Sequence, residues 1–234
     1  KNKIVSHIID EQKVLLSFLT KKNLLEKKSI NSPNNVNISK LQQLEAAKEA
    51  GLNTPDSYII STKRELEQLL KTYTKVATKP LSEMLFLDGT PQDYGTYTEL
   101  ITIEELPSFS DFFYPIFVQS YIDKLIEIRS FYLMGDFYSM AMFTQRDTQT
   151  TIDFRRYNFE KPTRSVPFKL PVTIEKKLTR LMRKLNLNCG SFDILFDKNY
   201  KFHFLEVNPV GQFGMVSIPC NYYLEKQIAE TLQH

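Results

Sequence analysis

The sequence predicts an α+β fold, and three observations predict it. Apolar residues recur along the 234 residues at two different periods, helical in some segments and strand-like in others. These segments mix without the strict strand-helix-strand alternation that builds a doubly wound sheet. The clearest pair of strands is a hairpin: Ser191-Phe192-Asp193-Ile194-Leu195-Phe196, a turn over 197–200, then Lys201-Phe202-His203-Phe204-Leu205-Glu206-Val207-Asn208-Pro209. Both arms are rich in β-branched and aromatic residues, and Asp197-Lys198-Asn199 supplies the turn chemistry.

The first thirty residues carry Ile4, Val5, Ile8, Ile9, Val14, Leu15, Phe18 and Leu19 at helical spacing, broken by a lysine-rich stretch. A polar, turn-forming linker follows at 31–37. Residues 39–50 read as a helix closed by Gly51, and Leu52-Asn53-Thr54-Pro55 turns the chain into a short strand at 57–60. Ser61 is the expected N-cap of a helix running through Leu70. Residues 75–80 form a strand ending at Pro80, and the polar, aromatic stretch to about Tyr97 matches no element. Strands are expected at 98–103, 116–121, 127–133 and 136–143, the last two joined as a hairpin across Met134-Gly135. Residues 171–187 read as a lysine-rich amphipathic helix and 221–232 as a closing one. There is no internal repeat or low-complexity segment, and the opening reads as the tail of a preceding domain, so the chain is expected to be a fragment.

Size and composition bound the function. The length suits one large domain or two small ones, with 42% apolar and 24% charged residues. No apolar run is long enough to span a bilayer and no signal-peptide core opens the chain, so the expected setting is cytoplasmic, without a membrane partner. Cys189 and Cys220 match no zinc spacing or disulfide framework and read as buried thiols. Thirty basic and 27 acidic residues, net +3, are too balanced to suggest a nucleic-acid partner. A homodimer stays open.

The hairpin carries the sharpest chemistry. Side chains two apart share a strand face, which sets Glu206 beside Asn208, and Asp193 can project from the neighbouring strand toward the same patch. Two carboxylates about 4 Å apart repel by roughly 4 kcal/mol at an effective dielectric near 20, so a fold that gathers them needs a cation. Magnesium suits such a set, because it is held by one or two carboxylates together with nucleotide phosphates. The competing reading is a solvated pair of surface acids beside an Asn-Pro strand end. His203 alternates out of phase with Glu206 and is expected to face away, and His7 and His234 have no nucleophile pattern beside them.

Other residues gain meaning from that patch. Lys79 closes an apolar strand, a place where a cation either meets an anion such as phosphate or snorkels to water. Lys40, just before a helix, is a second case. Gln119, Tyr121 and Ile122 lie where a strand leaves one lobe and its backbone can read an adenine edge, and Asp123 or Glu127 could accept ribose hydroxyls or equally be loop carboxylates on the surface. The triplets Glu127-Ile128-Arg129 and Asp153-Phe154-Arg155 put an acid and an arginine on one strand face. Two guanidinium groups in one cleft bind a carboxylate or acyl phosphate bidentately; otherwise the triplets are surface ion pairs. Arg146, Arg156 and Arg164 are secondary candidates.

In order along the chain, the lysine, the linker strand, the acid-x-arginine triplet, the second arginine and then Asp, Glu and Asn resemble the ATP-grasp superfamily of carboxylate-amine ligases from about Val36 onward. Within it, Glu127-Ile128-Arg129-Ser130-Phe131-Tyr132-Leu133, Asp153-Phe154-Arg155-Arg156-Tyr157 and Leu205-Glu206-Val207-Asn208-Pro209-Val210-Gly211-Gln212-Phe213-Gly214 resemble graspetide synthetases of the grasp-with-spasm and microviridin type. The resemblance implies two α/β lobes clasping ATP: a remnant of the preceding domain at 1–35, a central lobe at 36–118 and a C-terminal lobe at 119–234. It implies ATP and Mg2+, with Asp193, Glu206 and Asn208 on the metal, Lys40 and Lys79 on phosphates, and Arg129 and Arg155 on the acceptor carboxylate.

The implied reaction phosphorylates an Asp or Glu side chain of a ribosomally made precursor peptide, which a Ser or Thr hydroxyl or a Lys amine then attacks to close a macrocycle. A leader segment of that peptide would dock near 81–98, where only Gly89 and Gly95 stand in for the superfamily's glycine-rich flap. Two alternatives are a ligase adding amino acids to a peptide or protein, as glutamate ligases do, and a non-catalytic peptide-binding module.

Overall fold

The computed structural model describes residues 3–26, 29–32, 35–81, 86–87, 94–95, 98–144 and 163–233. It opens with helix α1 (Lys3–Glu26), whose apolar side chains Ile4, Ile8, Leu15 and Phe18 are exposed. The chain then passes Asn31, a buried residue in left-handed backbone (φ 56°), which ties this segment to the far end of the protein. Its Nδ2 donates to the carbonyls of Cys189 and Pro209 at 2.8 and 2.7 Å, and its Oδ1 accepts from the Asn188 amide at 2.8 Å.

Two helices begin on reciprocal caps. In α2 (Lys40–Glu49) Ser39 accepts from the Gln42 amide while the Gln42 side chain returns to the Ser39 amide. Helix α3 (Lys63–Thr72) is capped in the same way by Thr62 with Glu65, one residue beyond the expected Ser61. The reason is local: Glu65 accepts from both the Ser61 and Thr62 amides at 3.0 Å, but only the Thr62 hydroxyl reaches the Glu65 amide.

A four-stranded antiparallel sheet follows the order β1-β6-β2-β5, where β1 is Ser57–Thr62, β2 Lys75–Lys79, β5 Glu99–Thr102 and β6 Phe112–Ser120. Helix α3 covers one face, burying Leu66 and Leu70 against Ile60, Val76, Ile101 and Val118. Between β2 and β5, β3 (Phe86–Leu87) and β4 (Tyr94–Gly95) form a two-stranded pair where the sequence suggested no element. The rest of the expected flap and leader segment lies outside the described residues.

The second sheet runs β11-β10-β7-β8-β9, with β7 at Lys124–Leu133, β8 at Asp136–Met142, β9 at Ser165–Phe168, β10 at Cys189–Asp197 and β11 at Phe202–Asn208. Its core joins Phe192, Ile194, Phe204 and Val207 to α2 and to α4 (Val172–Lys184), whose Leu178, Leu181 and Met182 are fully buried. The C-terminal end holds two helices, α5 (Gly214–Cys220) and α6 (Leu224–Gln233), where the sequence suggested one; Asn221, in left-handed backbone, separates them. Strand β9 was likewise not expected. Cys189 and Cys220 are buried free thiols.

Candidate functional site

Asp193 lies at the centre of a three-strand rung. On β10 it stands opposite Arg129 of β7 on one side and Glu206 of β11 on the other. The register then slips between Asp193 and Ile194, so that Ile194 pairs with Phe204 and Leu205 is left over as a bulge. A bulge re-aims side chains, and here Leu205 and Glu206 both line one cavity of about 770 Å3. It also resets the alternation: Phe204 and Val207, three apart, share one core. The parity argument that set His203 against Glu206 therefore fails. His203 still does not line the cavity, because its Nε2 lies 2.9 Å from Asp197 Oδ2 at the hairpin end.

The hairpin strands approach closely at Gly190, where a Cβ would stand 2.9 Å from Val207 Cγ2 and 3.1 Å from the Asn208 carbonyl. That contact keeps Asn208 against β10, where it pairs with Ser191 two rungs beyond Glu206.

The cavity brings together Lys40, Lys79, Gln119, Tyr121, Ile122, Glu127, Arg129, Asp193, Glu206 and Asn208 from both sheets and from α2. Asp123 is elsewhere: it does not line the cavity, and its carboxylate pairs with exposed Lys198 at 2.7 Å. Arg155, Arg146 and Arg156 lie outside the described residues. Arg164 is described and sits 5.8 Å over the Phe143 ring, apart from the cavity.

The charges inside are interlocked. Arg129, 3% exposed, donates through Nη1 to Asp193 Oδ1 and through Nη2 to Gln212 Oε1, both at 2.8 Å, and its Nε has no partner among the described residues. Lys40 Nζ donates to the Pro80 carbonyl at 2.8 Å and lies 3.5 Å from Glu206 Oε2, joining the end of β2 to β11. Buried Glu127 accepts from buried Lys124 and, at 3.2 Å, from Thr144 Oγ1. Gln119 Nε2 donates to Ser57 Oγ at 3.0 Å, and the Lys75 ammonium lies 3.9 Å over the Tyr121 ring.

These surroundings act on Asp193. Burial pushes its carboxyl up to about 6 despite Arg129, with Glu206 and Glu127 adding to the rise and Lys79 opposing it. A carboxylate that costly to ionise, facing a second carboxylate and an amide oxygen in one cavity, is a hard-oxygen donor set suited to Mg2+. Asn208 Oδ1 also accepts from the Val210 amide at 3.1 Å, which fixes its orientation. Among the described residues no group of three or more His, Cys, Asp and Glu gathers as a metal site; the candidate donor set is Asp193 and Glu206 with the Asn208 amide.

Sequence reasoning passed over three cavity residues. Lys124, at the start of β7, was given no role, though its spacing of three from Glu127 was a signal. Gln43 ties α2 to β11 by accepting from the Val207 amide at 2.8 Å, and nothing in its helix marks it. Gln212 lies in the run Leu205–Gly214 but carried no expected role of its own.

No protein-family model matches the chain, and no curated protein matches it. Solved structures do. A RiPP-associated ATP-grasp ligase of Chryseobacterium gregarium, in complex with ADP and a leader and core peptide, aligns with a TM-score of 0.84 at 20% identity over 99% of this chain and 69% of its own. The macrocyclase MdnC of Microcystis aeruginosa, bound with precursor peptide MdnA, aligns with a TM-score of 0.66 at 28% identity over 82% of this chain. This chain spans 60% of MdnC. The ATP-grasp ligase PsnB, complexed with a phosphomimetic variant of its minimal precursor, Mg and ADP, aligns with a TM-score of 0.76 at 15% identity over 98% of this chain and 70% of its own.

Proposed function

We propose that this chain, which has the ATP-grasp fold of RiPP-associated ligases, is an ATP-dependent ligase acting on the acidic side chains of a ribosomally made peptide. The observation that carries the reading is the rung Arg129–Asp193–Glu206 at the floor of a cavity that also holds Lys40 and Lys79. A cation-binding pair of acids, two lysines for phosphate and a buried guanidinium match the needs of phosphoryl transfer, where catalysis is positioning and charge stabilisation.

In this reading the residues from about 36 to 118 form one lobe and those from 119 to 234 the other. Gln119, Tyr121 and Ile122 would hold the adenine, and Lys40 and Lys79 would contact the phosphates. Asp193, Glu206 and Asn208 would hold magnesium. The bound ion would neutralise charge on the phosphates and on the two acids. Arg129 directs the acceptor carboxylate, with Arg155 as a second guanidinium from its own triplet.

The peptide's carboxylate oxygen attacks the γ-phosphorus of ATP, the bond from that phosphorus to the bridging oxygen breaks, and ADP leaves with the bond's electron pair. A Ser or Thr hydroxyl, or a Lys amine, then attacks the acyl carbon. Phosphate leaves, the nucleophile gives up a proton, and an ester or amide closes the ring. One salt bridge already lies beside this arginine: Lys124 holds Glu127 buried next to Arg129.

Mass measurement tests the reading. The chain incubated with ATP, Mg2+ and candidate precursors rich in Thr, Ser or Lys alongside Asp and Glu is expected to yield peptide lighter by one water per ring. A gain in mass by whole amino acids would replace macrocyclisation with conjugation. No ADP release with any peptide would leave a binding module.

A further inference from the structure

The loop after β11 is pinned at several points yet holds one side chain at a conformational cost. Pro209 is held through its carbonyl by Asn31, the Gly211 carbonyl accepts from the buried Ser191 hydroxyl, and the Phe213 ring packs 5.9 Å from Phe131. Between them Gln212 adopts left-handed backbone at φ 45°, directly after Gly211 at φ 97°. A side chain other than glycine, asparagine or aspartate rarely accepts that conformation, and such residues persist where the surroundings fix them. The result is visible: the Gln212 amide oxygen meets Arg129 Nη2 at 2.8 Å, across 83 residues of chain.

Arg129 is a fork whose other prong holds Asp193 Oδ1. Guanidinium and carboxylate groups close readily into a two-bond pair when both prongs are available. Were Nη2 released, the fork could turn both prongs on Asp193 and occupy both of its oxygens. We infer that Gln212 is a positioning residue that holds one prong of Arg129 away from Asp193, so that Asp193 keeps an oxygen for a divalent cation. This rests on the nucleotide-and-cation reading of the cavity. It predicts that Gln212 sets the metal dependence of nucleotide binding and leaves the metal-free affinity untouched.

The test is calorimetric binding of a non-hydrolysable ATP analogue to the whole chain across a Mg2+ titration. Gln212→Met, close in size but without the acceptor, is expected to raise the Mg2+ midpoint about 10-fold, the scale on which residues behind metal ligands act. Metal-free affinity should stay within about twofold and Gln212→Glu should restore the midpoint. In an Arg129→Lys background, which keeps the charge but loses the fork, Gln212→Met should shift nothing further; an Arg129→Met background serves as the second measurement should the lysine variant fail to fold. A midpoint shift that persists in either background, or an equal loss with and without Mg2+, overturns the inference alone. Absence of any Mg2+-dependent binding in the unaltered chain overturns the cavity reading, and the inference with it.

Discussion

Asp193 and Glu206 stand directly opposite each other across the β10–β11 pair, at the last rung before the register slips. Two acids are thereby held in one cavity by backbone hydrogen bonding, with Arg129 completing the rung from β7. The strands, not the side chains, impose the proximity, so the electrostatic cost falls on the fold.

Arg129→Met is the stability prediction that follows. Its guanidinium is the direct ion-pair partner of Asp193 at 2.8 Å, and removing one partner of a buried pair typically costs about 3–5 kcal/mol. Urea unfolding should show a loss of that order without Mg2+. Addition of Mg2+ and nucleotide should recover part of it, and a loss below about 1 kcal/mol, typical of a solvent-exposed pair, would contradict the buried assignment.

Arg155→Ala separates binding from chemistry. Nucleotide affinity is expected to match that of the unaltered chain while ring closure disappears from the mass spectrum. Weakened nucleotide binding with normal closure would contradict the role given to this arginine.

Asp197 anchors the hairpin turn by accepting from the Asn199 and Lys201 amides at 2.9 and 2.8 Å and by meeting His203. Burial pushes its carboxyl up, but the Lys201 amide, His203 and the Asn199 amide outweigh burial and hold it below the usual range. A depressed carboxylate contributes stability that is present above its unfolded value and lost as pH falls through the folded one. Asp197→Asn should therefore cost about 1–2 kcal/mol near neutral pH, and the cost should shrink as the pH falls below the usual carboxylate range, read by thermal unfolding across pH. A cost independent of pH would contradict the argument.

Gly190→Ala tests the close approach of β10 and β11. A methyl group there meets Val207 Cγ2 and the Asn208 carbonyl, and overpacking of this kind costs roughly 1–3 kcal/mol. Because Asn208 must shift, the Mg2+ midpoint for nucleotide binding should rise together with the loss of stability. A stable variant with unchanged metal dependence would contradict the placement of Asn208.

Much of this was legible in the sequence because it is local. The hairpin of β10 and β11, the strand ending at Lys79 and the hairpin across Met134-Gly135 announce themselves through period and turn chemistry. What was not legible depends on pairing between distant segments. The bulge at Leu205 exists only as a register between two strands, and it undid the alternation argument for His203. Asp123 reads like a ribose ligand until Lys198 arrives from the far side of the hairpin turn. Thr62 displaced Ser61 as a helix cap because one hydroxyl reached Glu65's amide, a difference of one residue that composition does not resolve. Gln212 and Gln43 act entirely through tertiary contacts, and an amide in a loop or on a helix carries no periodic signal.

The nucleotide site turns on Asp193 and Glu206 holding a divalent cation together. Calorimetric titration of a non-hydrolysable ATP analogue, with and without Mg2+, on the unaltered chain and on Asp193→Asn and Glu206→Gln measures it directly. Mg2+-enhanced binding is expected to fall by at least about tenfold in each variant, while metal-free affinity is kept. Equal Mg2+ enhancement in all three proteins would contradict it.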